Sequence, residues 1–163
     1  MGNDGYMKSQ AELGIRLNQN MGVLIDLMDY RSDGFKELDN GSDTGFVRND
    51  YNVKFKWQPA SRLPSVLTMK VGFAAEDSDE TYLGLSDGDF QIDPDQRYAA
   101  SERDGFESEH LQLHLNYSVR PNVSNDVNIK AYHNRFTRAW TKFDGFLSGT
   151  APQNILQRTN LYQ

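Results

Sequence analysis

The chain has no cysteine among its 163 residues, so disulfide bonds, thiolate metal sites and thiol nucleophiles are excluded. It also lacks any apolar stretch near the roughly 18 residues that a membrane-spanning helix needs. Basic residues are fewer than acidic ones, with 17 Lys and Arg and 23 Asp and Glu. The net charge of -6 argues against a protein that binds nucleic acid. The first ten residues lack a charged start followed by an apolar core, so they predict no export signal.

What the sequence does contain is an alternation of apolar and polar residues with period two, which is typical of strands with one wet face. Leu111, Leu113 and Leu115, for example, alternate with Gln112 and His114. No segment shows the sustained apolar stripe of a helix. The alternation predicts six strands, at residues 10–18, 23–28, 51–57, 67–73, 110–119 and 127–132. Extended to their flanking turn signals, they reach about nine to eleven residues, the length of a tilted strand across hydrocarbon.

The predicted connections alternate between short and long. They are short at residues 19–22, 58–65 and 120–125, and long at residues 31–50, 75–109 and from 139 onward. Outer-membrane barrels have tight turns at one rim and long loops at the other. Aromatic residues near strand ends suit the interfacial girdles of such barrels, although aromatics favour strands in any sheet: Tyr51, Trp57, Phe73, Tyr117 and Trp140. The sequence therefore predicts an all-β fold, an antiparallel up-and-down transmembrane β-barrel segment of about six strands.

The long connections carry a family resemblance. Residues 82–90, YLGLSDGDF, followed by Pro94 and by RYAAS at 97–101, resemble an external-loop signature of TonB-dependent outer-membrane receptors, in particular the ferric-citrate-like group. Residues 32–38, 44–46 and 49–51 resemble the preceding loop of that group. The resemblance covers the chain from about Val23 to Trp140. It implies a barrel of 22 strands around an N-terminal plug, of which residues 1–163 are a partial barrel domain without the plug.

The resemblance also implies a function and a location. It places the chain in the outer membrane of a Gram-negative bacterium, surrounded by the bilayer and lipopolysaccharide. The protein would take up a ferric chelate, either a siderophore or iron citrate, with uptake energised by the TonB complex through the missing plug. The chelate would be the transported ligand, and no resident cofactor is expected. Vitamin, sugar or other metal cargo stays an alternative.

Ligand-binding candidates follow from the chemistry of such a chelate. Its carboxylate arms make it anionic, and arginine recognises carboxylates bidentately. Arg97 lies within the loop signature and Arg138 lies near the external end of its segment, so these two residues rank first. Tyr98 and His110 are further candidates.

Metal and catalytic sites are not predicted. His110 and His114 share a strand face but are roughly 13 Å apart at 3.3 Å per residue, too far to hold one ion. His133 falls on the opposite, apolar face. The sequence lacks a nucleophile elbow and a phosphate-binding glycine loop, so an enzyme is not expected.

Two other classes of protein stay open. A structural or adhesive outer-membrane barrel would show the same strands but would not need the signature at residues 82–101. A soluble carbohydrate-binding β-sandwich would also be all-β, but its strands should be shorter and its connections less strictly two-ended.

Overall fold

A computed structural model describes residues 3–39, 44–149 and 155–162 of the chain. Strands dominate these residues, and the helical content is one short α-helix and one 3-10 turn, at Ala99–Ser101. In chain order the elements are β1 (Met7–Arg16), β2 (Met21–Ser32), β3 (Glu37–Leu38), β4 (Phe46–Trp57), β5 (Ser65–Asp79), α1 (Asp87–Ile92), β6 (Gln96–Arg97), β7 (Gly105–Asn122), β8 (Asn125–Phe146) and β9 (Ile155–Tyr162).

Seven strands form the main sheet, in the order β1-β2-β4-β5-β7-β8-β9. Every neighbouring pair is antiparallel. The prediction of an all-β chain built on an antiparallel sheet is therefore confirmed. The sheet is open rather than closed into a barrel, with β1 and β9 at its two edges.

The six predicted strands correspond to β1, β2, β4, β5, β7 and β8, but several run further than the alternation indicated. β7 has 18 residues and β8 has 22. The ladder continues past the alternating region because each strand still has a paired neighbour there, as where Asp79 opposes Gly105. The prediction of a connection from residue 139 onward was wrong, since β8 continues to Phe146 and β9 adds a seventh strand.

Short and long connections alternate along the sheet. The short ones are residues 17–20, 58–64 and 123–124, and the long ones are residues 33–45, 80–104 and 147–154. Because consecutive strands are antiparallel, all short connections lie at one end of the sheet and all long ones at the other. We call these the turn end and the loop end.

The register of the strands gives the sheet two different faces. Directly paired residues of neighbouring antiparallel strands point to the same side. One row across the sheet contains Leu13, Ile25, Val53, Val71 and Leu113. The adjacent row on the opposite side contains Asp26, Asn52, Gly72, Gln112 and Asn134. We call these sides the apolar face and the polar face.

No layer of this chain covers the apolar face within the described residues. Leu13 and Ile129 each keep 55% of their surface exposed. Across the same ranges, Leu38 is the one apolar side chain that is buried, and it lies in the loops. The sheet therefore has no conventional hydrophobic core.

The two long loops before β7 pack together at the loop end. β3 and β6 form a two-stranded parallel sheet, with Glu37 opposite Gln96 and Leu38 opposite Arg97. The amide of Gln96 donates to the carboxylate of Asp39 at 2.8 Å, which adds a side-chain link. Residues 33–39 and 80–104, which are far apart in sequence, therefore form one ordered unit. We call it the loop unit.

A test of this loop packing is available at Gly45, which lies just before β4. A β-carbon at this position would meet the carbonyl oxygen of Ser32 well inside van der Waals contact. Because that atom belongs to the backbone, Gly45→Ala should lower the free energy of unfolding by about 1–3 kcal/mol, as measured by denaturant unfolding. Gly84→Ala is the control, since a β-carbon there meets nothing within 4 Å. Equal stability of the two variants would contradict the described packing.

Candidate functional site

Arg97, one of the predicted ligand-binding residues, is completely buried in the loop unit. Its Nη2 donates to the carbonyl oxygen of Ser101 at 2.6 Å and of Asp104 at 3.3 Å, and also to the carbonyl oxygen of Glu80. The guanidinium thus joins both ends of the long connection between β5 and β7. In this arrangement it holds the loop together and is not accessible to a ligand.

The charge of Arg97 is balanced inside the loop unit. Burial lowers the pKa of its guanidinium, while the carboxylates of Asp79, Asp104 and Glu80 act in the opposite direction. Arginine keeps its proton in proteins, so the buried group is a cation compensated by these acids. That Arg97 binds a ligand stays a prediction, and the contacts seen here are structural.

Asp104, which no sequence pattern singled out, is the second buried charge of the loop unit, with 1% of its surface exposed. Its Oδ1 accepts a hydrogen bond from the Phe143 amide at 2.5 Å, and its Oδ2 accepts one from the Tyr82 amide at 3.3 Å. These bonds attach the base of the loop to β8. Burial, followed by the charges of Glu80 and Asp104, raises the pKa of Tyr82 to about 12, so its hydroxyl is neutral.

Tyr98, another predicted ligand residue, fixes helix α1. Its hydroxyl donates to Asp89 Oδ2 at 2.5 Å and accepts from the Ser86 amide at 3.0 Å. Ser86 is the N-cap of the helix, and its Oγ accepts from the Asp89 amide at 3.1 Å. The hydrogen bonds from Tyr98 and then Ser86 lower the pKa of Asp89. The helix has only six residues, too few to produce a helical apolar stripe, which is why the sequence did not predict it.

His110, by contrast, lies on the polar face, beside a groove of about 230 Å³ between β4, β5 and β7. Its ring packs edge-on against Phe136, with 5.6 Å between the ring centres. Gln112 Nε2 lies 3.4 Å from His110 Nδ1 and Lys70 Nζ donates to Gln112 Oε1 at 3.1 Å. A histidine, a lysine and an amide therefore line one side of an open polar groove.

Toward the loops, the groove is lined by Arg48, which forms an ion pair with Glu76. Arg48 Nη1 lies 3.1 Å from Glu76 Oε2, and both side chains are partly exposed. In the middle of the groove, Gly72 leaves room for its neighbours, because a β-carbon there would meet Asn52 Oδ1 at 2.7 Å and Gln112 Oε1 at 3.3 Å. The groove is thus polar along its length.

Arg138 lies in the row of Arg48, Glu76 and Ser108, next to the row of His110. Its guanidinium carbon is 5.6 Å from the centre of the Trp140 ring and 5.7 Å from that of Tyr162. Within the described part of the chain, no carboxylate oxygen lies within 4 Å of its nitrogens. The structure therefore places Arg138 and His110 close together on the polar face, whereas Arg97 and Tyr98 lie within the loop unit.

The three histidines are arranged as the alternation indicated. His110 and His114 lie on the polar face, where they oppose Phe136 and Tyr132, and His133 lies on the apolar face opposite Leu113. In residues 3–39, 44–149 and 155–162, no group of three or more His, Asp or Glu side chains could hold a metal ion.

Comparison with protein-family models, curated proteins and solved structures gives no match to this chain. The resemblance of its loops to TonB-dependent receptors therefore stays a prediction. Among the described residues, the structure contains no helix long and apolar enough to cross a membrane.

The structural role of Arg97 can be tested by substitution. Arg97→Met should lower the free energy of unfolding by about 2–4 kcal/mol, because the carboxylates around the guanidinium would lose their compensating cation and the carbonyl groups of Ser101 and Asp104 would each lose one of two donors. Limited proteolysis should then cleave within residues 80–104 before the sheet is lost. Arg103→Met removes the same charge from an exposed position of the same loop and should change neither stability nor cleavage. Equal resistance of the two variants to proteolysis and to unfolding would argue against the structural role of Arg97.

Proposed function

We propose that this chain forms part of the barrel wall and external loops of a TonB-dependent outer-membrane receptor, of the ferric-citrate-like group, which takes up a ferric chelate. The observation that carries the proposal is the sheet with two faces. Rows of apolar side chains lie in register across six strands on one side, without any cover among the described residues, and polar side chains lie on the other.

The apolar face supports the membrane part of the proposal. Each square ångström of apolar surface left in water costs roughly 25 cal/mol, and lipid contact removes that cost. The polar face would then line a watery interior, as in outer-membrane barrels. Strands β4, β5, β7 and β8, with 12 to 22 residues, exceed the nine to eleven that a tilted strand needs to cross hydrocarbon.

Aromatic residues mark both limits of the apolar face. Trp57 and Tyr117 share a row near the turn end, and Tyr51 and Phe73 share a row near the loop end. The two rows are six residues apart along β4, which is roughly 20 Å at 3.3 Å per residue. The Tyr51 hydroxyl donates to Asp29 Oδ1, just beyond the apolar rows. Rings inside an apolar band with their polar groups at its edge are typical of membrane interfaces.

The loop end of the polar face supports the receptor part of the proposal. Arg138 is a cation without a carboxylate partner among the described residues, and aromatic rings orient it. Together with His110 it offers hydrogen-bond donors to the carboxylate arms of a ferric chelate. Passage into the periplasm would follow movement of a plug driven by the TonB complex, and the outer surface would contact lipid and lipopolysaccharide.

The two tryptophans of the chain make the membrane part testable. Trp57 belongs to the apolar face, and Trp140 belongs to the polar side near the loops. In vesicles of phospholipids brominated on the acyl chains, we expect strong fluorescence quenching of Trp57 in the Trp140→Phe variant. The Trp57→Phe variant, which keeps Trp140, should be quenched little. Absence of quenching at Trp57, or a protein that stays monodisperse without detergent, would overturn the membrane assignment.

The receptor part is tested separately, with ferric citrate as the probe. Arg138→Glu should weaken binding by about tenfold or more, because it replaces a charge-assisted donor with a repelling carboxylate. Arg62→Glu makes the same change in a short connection at the turn end and should bind as the unaltered protein does. Binding would be measured by titration of the purified protein and by growth under iron limitation. Equal binding by both variants would remove Arg138 from the site.

A further inference from the structure

Aromatic side chains recur at a fixed interval on the polar face, where β7 and β8 pair. Three directly paired positions hold two rings each: Phe106 with Trp140, His110 with Phe136, and His114 with Tyr132. The ring centres of these pairs are 6.2, 5.6 and 6.4 Å apart, and each pair is edge-to-face. Successive pairs are four residues apart along each strand, roughly 13 Å at 3.3 Å per residue. The water-facing side of the sheet thus carries a regular line of rings.

The row between the second and the third ring pair consists of two amides. Gln112 of β7 faces Asn134 of β8 there. Asn134 Oδ1 lies 3.4 Å from His114 Nε2, and Asn134 Nδ2 makes no hydrogen bond in the described part of the chain. A side-chain amide both donates and accepts hydrogen bonds. Rings and hydrogen-bonding groups therefore alternate along this part of the two strands.

The line of rings is open to water at the end away from the loops. Tyr132 keeps 77% of its surface exposed and His114 is exposed as well, whereas Trp140 packs against two other rings. Cross-strand ring contacts stabilise the pairing of β7 with β8, but they do not require a tyrosine ring that stays mostly in water. We define the aromatic seam as five residues: Gln112, His114, Tyr132, Asn134 and Phe136.

The surroundings of the aromatic seam contain no negative charge. In the four rows of the polar face from His110 to Asn116, the residues of β5, β7 and β8 include no Asp or Glu. Two lysines lie in these rows, of which Lys70 donates to Gln112 and Lys130 lies one row from Tyr132 toward the turn end. The remaining side chains are neutral amides, rings and small residues. This composition suits an uncharged ligand that both donates and accepts hydrogen bonds.

We infer that the aromatic seam binds an uncharged oligosaccharide. A sugar ring has apolar faces of C–H groups that stack on aromatic rings, and its hydroxyl groups donate to amides and accept from them. Phe136 and Tyr132 contact the apolar faces of the sugar, and Asn134 between them binds the hydroxyl groups. A single sugar unit is shorter than the distance between the two rings, so the ligand has at least two linked units.

This ligand differs in chemistry from the chelate of the proposed function. The aromatic seam meets the groove beside His110 at Phe136, and its other rings lie further toward the turn end. The inference requires only that water reaches the polar face. It therefore adds a ligand class to the proposed function and does not depend on the identity of the transported chelate.

The test uses maltohexaose, cellohexaose and N-acetylchitohexaose as probes, with the protein in a detergent that has no sugar head group. Calorimetry should detect saturable binding of at least one of them, and weaker binding of its single sugar unit, which cannot reach both rings. The affinity should be the same at low and at high salt, because the ligand has no charge to be screened.

Variants of Tyr132 test the stacking contact. Tyr132→Ala should weaken the affinity by about fivefold or more, because one ring is lost. Tyr132→Phe keeps the ring and should retain most of the affinity. Phe90→Ala is the matched control, since it removes a ring that is 59% exposed from helix α1, and it should bind as the unaltered protein does.

Two comparisons separate this inference from the proposed receptor function. Arg138→Glu should leave oligosaccharide binding unchanged, and Tyr132→Ala should leave ferric citrate binding unchanged. The inference would be overturned by absence of saturable binding of all three probes or by equal losses in Tyr132→Ala and Phe90→Ala. Loss of binding at high salt would indicate an anionic ligand instead, and tighter binding of adenosine than of every oligosaccharide would indicate a planar aromatic one. Either result would also overturn it.

Discussion

The structure depends on the register of its strands, which aligns the alternation of apolar and polar residues across all six strands from β1 to β8 that show it. Because successive side chains of a strand point to opposite sides, a shift of one residue in any pairing would move a whole set of apolar side chains to the polar face. The observed register avoids this at every interface from β1 to β8, so that Ile15, Val23, Phe55, Met69 and Leu115 fall in one row. The short connections hold three of the strand pairs, β1-β2, β4-β5 and β7-β8, in this alignment. A sheet with two chemically different faces is the direct result.

The distribution of burial follows from this arrangement and is the reverse of that in an ordinary globular domain. The apolar side chains of the sheet stay exposed, whereas the fully buried residues of the described ranges are Arg97, Ser101 and Asp104 in the loops. A buried charge is tolerated only when it is paired and hydrogen-bonded. Arg97 meets this condition through backbone carbonyl groups and nearby carboxylates, and Asp104 meets it through backbone amides. The loops are therefore held by polar contacts that require a defined conformation.

The polar face has two separate regions with different chemistry. Near the loops, Arg138 and His110 lie among aromatic rings, and Arg48 is paired with Glu76. Near the turns, Lys54 and Lys70 face each other without acidic partners among the described residues. Between these regions lie Asp26, Asp50, Asn52 and Gly72, the last of which leaves room on the face for its neighbours.

The amino-acid pattern was sufficient to predict the six strands and the side to which each of their residues points, because period two is a local property of an extended chain. It also determined the alternation of short and long connections. It did not determine the last residues of β8 or the whole of β9, where pairing with a neighbour extends a strand beyond its own pattern. Only the tertiary structure showed that Arg97 is buried while Arg138 is accessible, because that difference depends on which backbone carbonyl groups the folded loop brings to the guanidinium. The pairing of Lys54 with Lys70 was likewise decided by register, which joins residues on different strands through contacts that no single segment contains.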